Sequence, residues 1–149
     1  MTAKLALVAT SLPASRVGHL NSVHTDVRRA ISEHNAIDFS IQHYVIGQQR
    51  SALGNHYHTG KSETFIIVEG GGILVMRTVD AAGVPCGGLF KTDVTKGDVI
   101  RVNPFMAHTF VLEPASVMLN YSSAPFDEKN MDMTAHTLVD PRTLAIIAE

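Results

Sequence analysis

Gly54-Asn55-His56-Tyr57-His58 precedes a turn, Thr59-Gly60-Lys61-Ser62, and the apolar run Glu63-Thr64-Phe65-Ile66-Ile67-Val68. Side chains alternate along a strand, so His56 and His58 are expected on one face. The four middle residues are typical of a turn, after which a second strand begins at Glu63. Two imidazoles and one carboxylate on one interior face predict a divalent-metal site.

His108 is the best candidate for a fourth ligand. It opens the run His108-Thr109-Phe110-Val111-Leu112, whose alternate apolar residues indicate a buried face. Neutral imidazoles with one carboxylate suit zinc, iron, nickel or manganese, and the ligand set does not choose among them. Four protein ligands leave one or two coordination positions for water or substrate, which favours a catalytic site.

The rest of the chain predicts an all-β fold. About eight to ten short strands alternate with glycine-bearing turns, a spacing typical of a sandwich or barrel whose interior can hold one small ligand. One strand is expected over residues 1–12. Residues 21–36 show helical spacing, with Thr25 as an N-cap, and predict a short helix. Asp140-Pro141 predicts a helical turn or two at the C-terminal end.

Composition limits the protein class. The chain has 149 residues, 45% of them hydrophobic, and a formal net charge of -2. We therefore expect one domain spanning residues 1–149, with no nucleic-acid partner. No apolar run reaches the roughly 18 to 20 residues of a membrane span, so no membrane partner is expected. The single cysteine, Cys86, fits a reducing compartment, and the cytoplasm is the predicted location.

Four further side chains are candidates for catalysis or substrate binding. His43 lies on an apolar strand face and could act as a general base, although a core histidine satisfied by one hydrogen bond is the commoner situation. Tyr44 and Tyr121 could donate protons or contact substrate, with half-buried strand tyrosines as the alternative. Phe105 is a candidate substrate contact next to the predicted ligand His108.

The histidine block resembles the first cupin motif, and Gly97 to His108 resembles the second. In the second motif, Phe105 stands where the family has glycine. The resemblance covers roughly residues 39–122, the expected barrel core. It implies a conserved-barrel cupin, which is a double-stranded β-helix or jelly roll and is often a homodimer. The metal ligands that the resemblance implies are His56, His58, Glu63 and His108.

A narrower resemblance concerns function. The run from Gly54 to Phe65, with Val68, Gly70 and Arg77 after it, is similar to the cupin module of capsular-polysaccharide nucleotide-sugar reductases. In that family the module binds zinc and epimerises a sugar beside a keto group. Residues 126–132 also resemble the tail of sugar-modifying cupins. The sequence has no reductase domain, so a free-standing relative of that module is expected.

Three functions are consistent with these patterns. The first is a metal-dependent epimerase or isomerase that acts on a small polar or nucleotide-sugar substrate; a metal-free version would use His56 and His58 as the base. The second is an iron-dependent dioxygenase with the same ligands. The third is a non-enzymatic protein that binds a small ligand. Fold alone does not decide among them.

Overall fold

The computed structural model describes residues 18–147, and every regular element in that range is a strand. The strand predicted over residues 1–12 lies outside the described residues. The strands are β1 (Asn21–Thr25), β2 (Arg29–Asn35), β3 (Ser40–Ile46), β4 (Ser51–Tyr57), β5 (Glu63–Glu69), β6 (Gly71–Thr78), β7 (Phe90–Thr95), β8 (Val99–Val102), β9 (Met106–Leu112), β10 (Val117–Ser122) and β11 (Thr134–Ala135). The all-β prediction is confirmed.

The strands form two antiparallel sheets. One has the order β1-β2-β3-β10-β5-β8, and the other has the order β11-β4-β9-β6-β7. Neighbours in each sheet come from distant parts of the chain. In particular, β9 pairs with both β4 and β6, and β10 pairs with both β3 and β5. These pairings bring the histidine strand β4 beside β9, where the fourth predicted ligand lies.

Two apolar clusters lie on either side of the five-stranded sheet. The inner cluster contains side chains from both sheets, so it fills the space between them. Its buried members are Ile46, Leu53, Phe65, Ile67, Leu74, Val94, Val102, Phe110, Leu112 and Met118. The outer cluster joins residues of β4, β6 and β9 to Leu138 and Val139, so the C-terminal segment covers the outer face of that sheet.

The helix predicted over residues 21–36 is wrong, because this region forms the hairpin of β1 and β2. Asp26 decides the turn: its carboxylate accepts hydrogen bonds from the backbone N–H of Arg28 (2.8 Å) and Arg29 (3.1 Å). Val23 and Val27, which suggested helical spacing, are 55% and 85% exposed. Their spacing therefore does not report a buried helix face.

The helical end predicted after Asp140 is also wrong for the residues described. The Asp140 carboxylate does accept hydrogen bonds from the N–H groups of Arg142 and Thr143, as an N-cap would. Only one turn follows, because Leu144 adopts a φ of 60°, outside the helical region. No helix within residues 18–147 is long and apolar enough to cross a membrane.

Candidate metal centre

A β-bulge at Gly54 and Asn55 turns His56 of β4, and His58 just after it, toward the interior of the barrel. The pairing of β4 with β9 skips Asn55, since Gly54 lies opposite Thr109 and His56 lies opposite His108. Gly54 has a φ of 125° and Asn55 a φ of 59°. In a regular strand, residues three positions apart point to opposite faces. The extra residue of the bulge shifts this alternation, so His56 lies on the same face as the inner core residue Leu53.

Glycine is required at the first position of this bulge. A β-carbon on Gly54 would lie 2.5 Å from the backbone oxygen of His108, and the φ of 125° is strained for other residues. Asn55 then ties the bulge to the C-terminal segment. Its amide donates to the carbonyl of Val139 (2.8 Å), and its Oδ1 accepts from the N–H of Leu138 (2.9 Å).

Four side chains converge inside the barrel at one end of the sheets. One donor atom from each of His56, His58, Glu63 and His108 lies within 4.8 Å of all the others. The Glu63 Oε2 is 2.9 Å from His58 Nε2 and 3.2 Å from His108 Nε2. His58, Glu63 and His108 are almost fully buried. This cluster could hold a metal ion.

The hydrogen bonds of two imidazoles fix which nitrogen faces the cluster. His58 Nδ1 donates to the backbone carbonyl of Asp132, and His108 Nδ1 donates to that of Met106 (3.0 Å). A carbonyl oxygen only accepts, so each neutral ring presents an unprotonated Nε2 to the Glu63 carboxylate. His108 Nε2 has no hydrogen-bond partner among the described residues. Buried lone pairs that face a carboxylate require a cation, so the residues fit a divalent metal.

The other oxygen of Glu63 is held by a second side chain. Asn120 Nδ2 donates to Glu63 Oε1 at 2.8 Å, which orients the carboxylate toward the histidines. Burial raises the pKa of Glu63, but the adjacent His108 and His58 outweigh it, and the pKa lies well below its ordinary value. Glu63 is therefore a carboxylate at neutral pH.

His56 is held in its neutral form. Burial, followed by the charges of the neighbouring His108 and His58, lowers the pKa of His56 to about 4. The ring centroid of His56 is 4.8 Å from that of His58 and 4.8 Å from that of His108. A neutral ring keeps a lone pair free, which is the form that binds metal.

The cluster opens onto a cavity of about 350 Å³, within the range of small-molecule sites. Two cationic side chains, Arg29 of β2 and Lys61 of the loop before β5, contribute to its wall. Arg29 Nη1 donates to the carbonyl of Ala52 at 2.9 Å, while its buried Nε has no hydrogen-bond partner among the described residues. The remaining lining is Ile31, Gln42, Tyr44, Leu53, Gly54, Phe65, Asn120, Phe126 and Met133 besides the four cluster residues.

Of the four further candidates, Tyr44 lines this cavity, whereas His43, Tyr121 and Phe105 do not. His43 lies between the cavity residues Gln42 and Tyr44 on β3, so it points to the opposite face of the sheet. Tyr121 is 48% exposed and stacks on Phe39 at 5.6 Å between ring centroids, away from the cavity lining.

Phe105 packs against the outer apolar cluster and does not line the cavity. Its φ is 61°, so it adopts the left-handed conformation that the glycine of the second motif would allow. Its backbone N–H donates to the carbonyl of His58 at 2.7 Å. Phe105 therefore supports the histidine strand through its main chain.

Three contributors to the site could not be identified from the sequence. Arg29 could not be assigned to the site because the segment that contains it has helical spacing and was predicted to be a helix. Asn120 and Asp132 reach the ligands only through strand pairing and through the fold of the C-terminal segment. The only sequence signal for Asp132 was the tail resemblance of residues 126–132.

A two-sheet antiparallel barrel with three histidines and one glutamate facing its interior is the architecture of the cupin fold. The residues from 24 to 134 match the family model described as polysaccharide biosynthesis C-terminal domain. The chain therefore belongs to the polysaccharide biosynthesis C-terminal domain family. Among curated proteins, none matches it.

Solved structures support the cupin fold. The chain is similar to CapF with the inhibitor 3-isopropenyl-tropolone, with a TM-score of 0.68 and 20% identity over 79% of this chain and 34% of that chain. The capsular polysaccharide assembling protein CapF from Staphylococcus aureus gives a TM-score of 0.63 at 20% identity, with the same coverage of each chain. The chain thus spans about a third of CapF.

Two further structures differ in length and in what they bind. Streptomyces PAC13, solved with uridine, has a TM-score of 0.62 and 9% identity over 87% of this chain and 98% of its own. Lactobacillus farciminis oxalate decarboxylase, solved as a formate complex, has a TM-score of 0.56 and 17% identity over 82% of this chain and 37% of its own.

Proposed function

We propose that this chain is a metal-dependent epimerase or isomerase that acts on a small carbohydrate-like substrate, with a nucleotide sugar as the leading candidate. The observation that carries the proposal is the set of four convergent donors, His56, His58, Glu63 and His108, in the wall of a cavity of about 350 Å³. Membership of a polysaccharide biosynthesis family supports a carbohydrate substrate.

Epimerisation beside a carbonyl transfers a proton from one face of a carbon to a base, for which water in the cavity would serve, and returns a proton from an acid to the other face. The electron pair of the broken C–H bond is held meanwhile as an enolate or enediolate. A divalent ion held by the four donors would supply positive charge to the developing oxyanion. The chain itself orients the donors, through Asn120 on Glu63 and through backbone carbonyls on His58 and His108.

Tyr44 is the proposed proton donor. Its side chain lies in the cavity wall, and its hydroxyl donates a hydrogen bond to Gln42 Oε1. Burial, followed by the charge of Glu63, raises the pKa of Tyr44 well above its ordinary value. The phenol therefore stays protonated at neutral pH, which suits delivery of a proton to a carbanion or oxyanion.

A nucleotide sugar would place negative charge beside Arg29 and Lys61. Guanidinium and ammonium groups are the side chains that bind phosphate most strongly. The hydrogen bond from Nη1 to the carbonyl of Ala52 holds the Arg29 guanidinium in the cavity wall. The likeness to PAC13, which was solved with uridine, supports a nucleoside in a cupin barrel of this size.

The metal content of the purified native chain is the first test, measured by elemental analysis without an affinity tag or added metal. We expect near one divalent ion per chain, and His108→Ala is expected to lose it. His24→Ala is the matched control, since His24 lies exposed on β1. Full metal content in His108→Ala would refute the proposed ligand set.

The second test measures solvent deuterium incorporation into keto-sugars and nucleotide keto-sugars by mass spectrometry. Zinc in the native protein, with exchange that disappears in Tyr44→Phe, is the result expected for an epimerase. The Phe variant keeps the ring and removes only the hydroxyl. Unchanged exchange in Tyr44→Phe would exclude Tyr44 as the proton donor.

The iron-dependent dioxygenase is the second candidate, because three imidazoles and one carboxylate also suit a redox-active metal such as iron or manganese. Oxalate decarboxylases are structural neighbours, and one from Bacillus subtilis was studied for its Mn(II) centres. Iron at near one per chain, with substrate-dependent oxygen uptake, would support the dioxygenase. Ligand binding without exchange or oxygen uptake would support the third function, a non-enzymatic binding protein.

A further inference from the structure

Asp132 contacts the metal-ligand strand from the far end of the chain. It lies in the segment between β10 and β11, two residues before Thr134, which pairs with Tyr57. The same register places Asp132 opposite Thr59, at the point where the histidine strand leaves the sheet. Asp132 is thus one position past His58 along the paired strands.

The Asp132 carboxylate closes the loop that follows His58. Its Oδ1 accepts from the N–H of Thr59 (2.6 Å) and from the Thr59 hydroxyl (2.8 Å). Its Oδ2 accepts from the N–H of Gly60 (2.8 Å) and of Lys61 (3.0 Å). Four donors on one carboxylate fix both its oxygens and the backbone to which it is attached.

The backbone carbonyl of the same residue accepts the Nδ1–H of His58. Asp132 therefore binds the loop after His58 through its side chain and orients the buried His58 imidazole through its main chain. The second contact determines the tautomer of His58 and directs its Nε2 to Glu63, 2.9 Å away.

We propose that Asp132 is the positioning residue for His58. The Asp132 carboxylate, hydrogen-bonded to residues 59–61, fixes the position of the Asp132 backbone carbonyl. That carbonyl in turn determines the tautomer and the orientation of the His58 ring. The C-terminal segment, which also contributes Phe126 and Met133 to the cavity wall, thereby completes a site whose ligands come from β4, β5 and β9. The inference rests on metal binding by the four-residue cluster, and it does not depend on which reaction the site performs.

The experiment compares Asp132→Asn with Asp140→Asn. In Asp132→Asn one carboxylate oxygen becomes an NH₂ donor that faces N–H groups of the loop. The side-chain hydrogen bonds to residues 59–61 are therefore disrupted with little change in side-chain volume. Asp140 is the matched control, because its carboxylate also accepts two backbone N–H bonds in the C-terminal segment but lies outside the cavity lining. Zn²⁺ affinity is measured by competition with a chromophoric chelator, and the visible spectrum of bound Co²⁺ reports the coordination geometry.

We expect Asp132→Asn to weaken Zn²⁺ binding about 10- to 100-fold, the range typical of lost support behind a ligating histidine. The Co²⁺ spectrum should change, and Asp140→Asn should match the native protein in both readouts. Asp132→Asn within about threefold of native affinity, with an unchanged Co²⁺ spectrum, would overturn the proposal. An equal loss in both variants would also overturn it, since it would indicate general loosening of the segment.

Long-range ¹H–¹⁵N correlation spectra of the Zn²⁺-loaded native protein supply a test that needs no folded variant. Nδ1 of His58 is expected to carry the proton while Nε2 binds the metal, and a metal-bound Nδ1 would overturn the proposal. The outcomes also separate this proposal from the proposed function. A native chain that binds neither Zn²⁺ nor Co²⁺ defeats both, whereas metal binding without sugar exchange defeats only the epimerase.

Discussion

The two ends of the space between the sheets differ in how they are filled. At the closed end, defined by Ile46, Ile67, Leu112 and Met118, buried apolar side chains from both sheets pack together. At the open end, defined by the four cluster residues and Arg29, polar groups line a cavity of about 350 Å³. The same strands run through both ends. The side chains that each strand carries at a given end therefore determine whether that end is a packed apolar core or a polar site.

This difference assigns most of the folding stability to the closed end and the candidate functional site to the open end. The closed end removes apolar surface from water, which is the main favourable contribution to folding. The open end buries polar atoms, and each needs a partner: Asn120 supports Glu63, and carbonyls support His58 and His108. Substitutions at the two ends should therefore have different effects, and the following predictions test this from the largest effect to the smallest.

Leu112→Ala at the closed end should lower the free energy of unfolding by about 2–5 kcal/mol. Leu112 is fully buried, and its truncation leaves a void that the paired strands cannot close. Met133→Ala, at a cavity-lining side chain that is 44% exposed, should change it by less than about 0.5 kcal/mol. Urea denaturation measures both; similar losses in the two variants would contradict the division between the ends.

The open end should make the metal-free protein sensitive to mild acid. The pKa of His56 is lowered from 6.5 to about 4, so between these values the unfolded chain binds a proton that the folded chain does not. Stability is therefore fully present above pH 6.5 and is lost as the pH falls toward 4, by on the order of 2–3 kcal/mol.

Urea denaturation of the chelator-treated protein from pH 7 to pH 4 measures this loss. In His56→Gln the pH dependence should shrink, whereas His24→Gln, at an exposed position, should behave as native. Leu112→Ala should keep the native pH dependence because the substitution removes no titrating group. A native slope in His56→Gln would show that another group carries the effect.

The convergence of the four cluster residues could be predicted from the sequence because they follow local rules. His56 lies on β4 and His58 directly follows it, Glu63 begins β5 after a recognisable turn, and His108 lies in the apolar strand β9. The bulge at Gly54 could not be predicted, because a glycine in a strand indicates neither which residue is unpaired nor which face the next residue takes.

Residues that contact the site from distant parts of the chain also could not be predicted from the sequence. Arg29 faces the cavity because β2 pairs with β3, and the helical spacing around it suggested a different structure. Asp132 is 74 residues from His58, and only the pairing of β11 with β4 brings them together. A homodimer and a cytoplasmic location stay predictions.

The charge at the open end gives a smaller effect. Arg29→Met should weaken the binding of uridine diphosphate about tenfold, or about 1.4 kcal/mol, and leave the binding of uridine unchanged. Arg29 is one of the two cationic side chains that line the cavity, and methionine keeps most of its apolar stem. Isothermal titration calorimetry with both ligands measures the difference. An equal loss for both ligands would indicate a packing effect instead of phosphate recognition.

The ion pair at the closed end should contribute least. Lys96 Nζ lies 2.8 Å from Glu69 Oε2, but the two side chains are 64% and 59% exposed. Water screens such a pair, and ordering two long side chains offsets the attraction, so Lys96→Ala should change the free energy of unfolding by less than about 1 kcal/mol.

Urea denaturation at low and high salt measures this contribution, with Lys91→Ala, at another strand lysine of the same sheet edge, as the control. A loss larger than about 2 kcal/mol that disappears in high salt would mean that charge holds this end together. A small, salt-independent change leaves the apolar contacts of Leu112 and its neighbours as the source of stability. In that case the charged groups that matter in this barrel are those inside it, at the end where Glu63 meets three histidines.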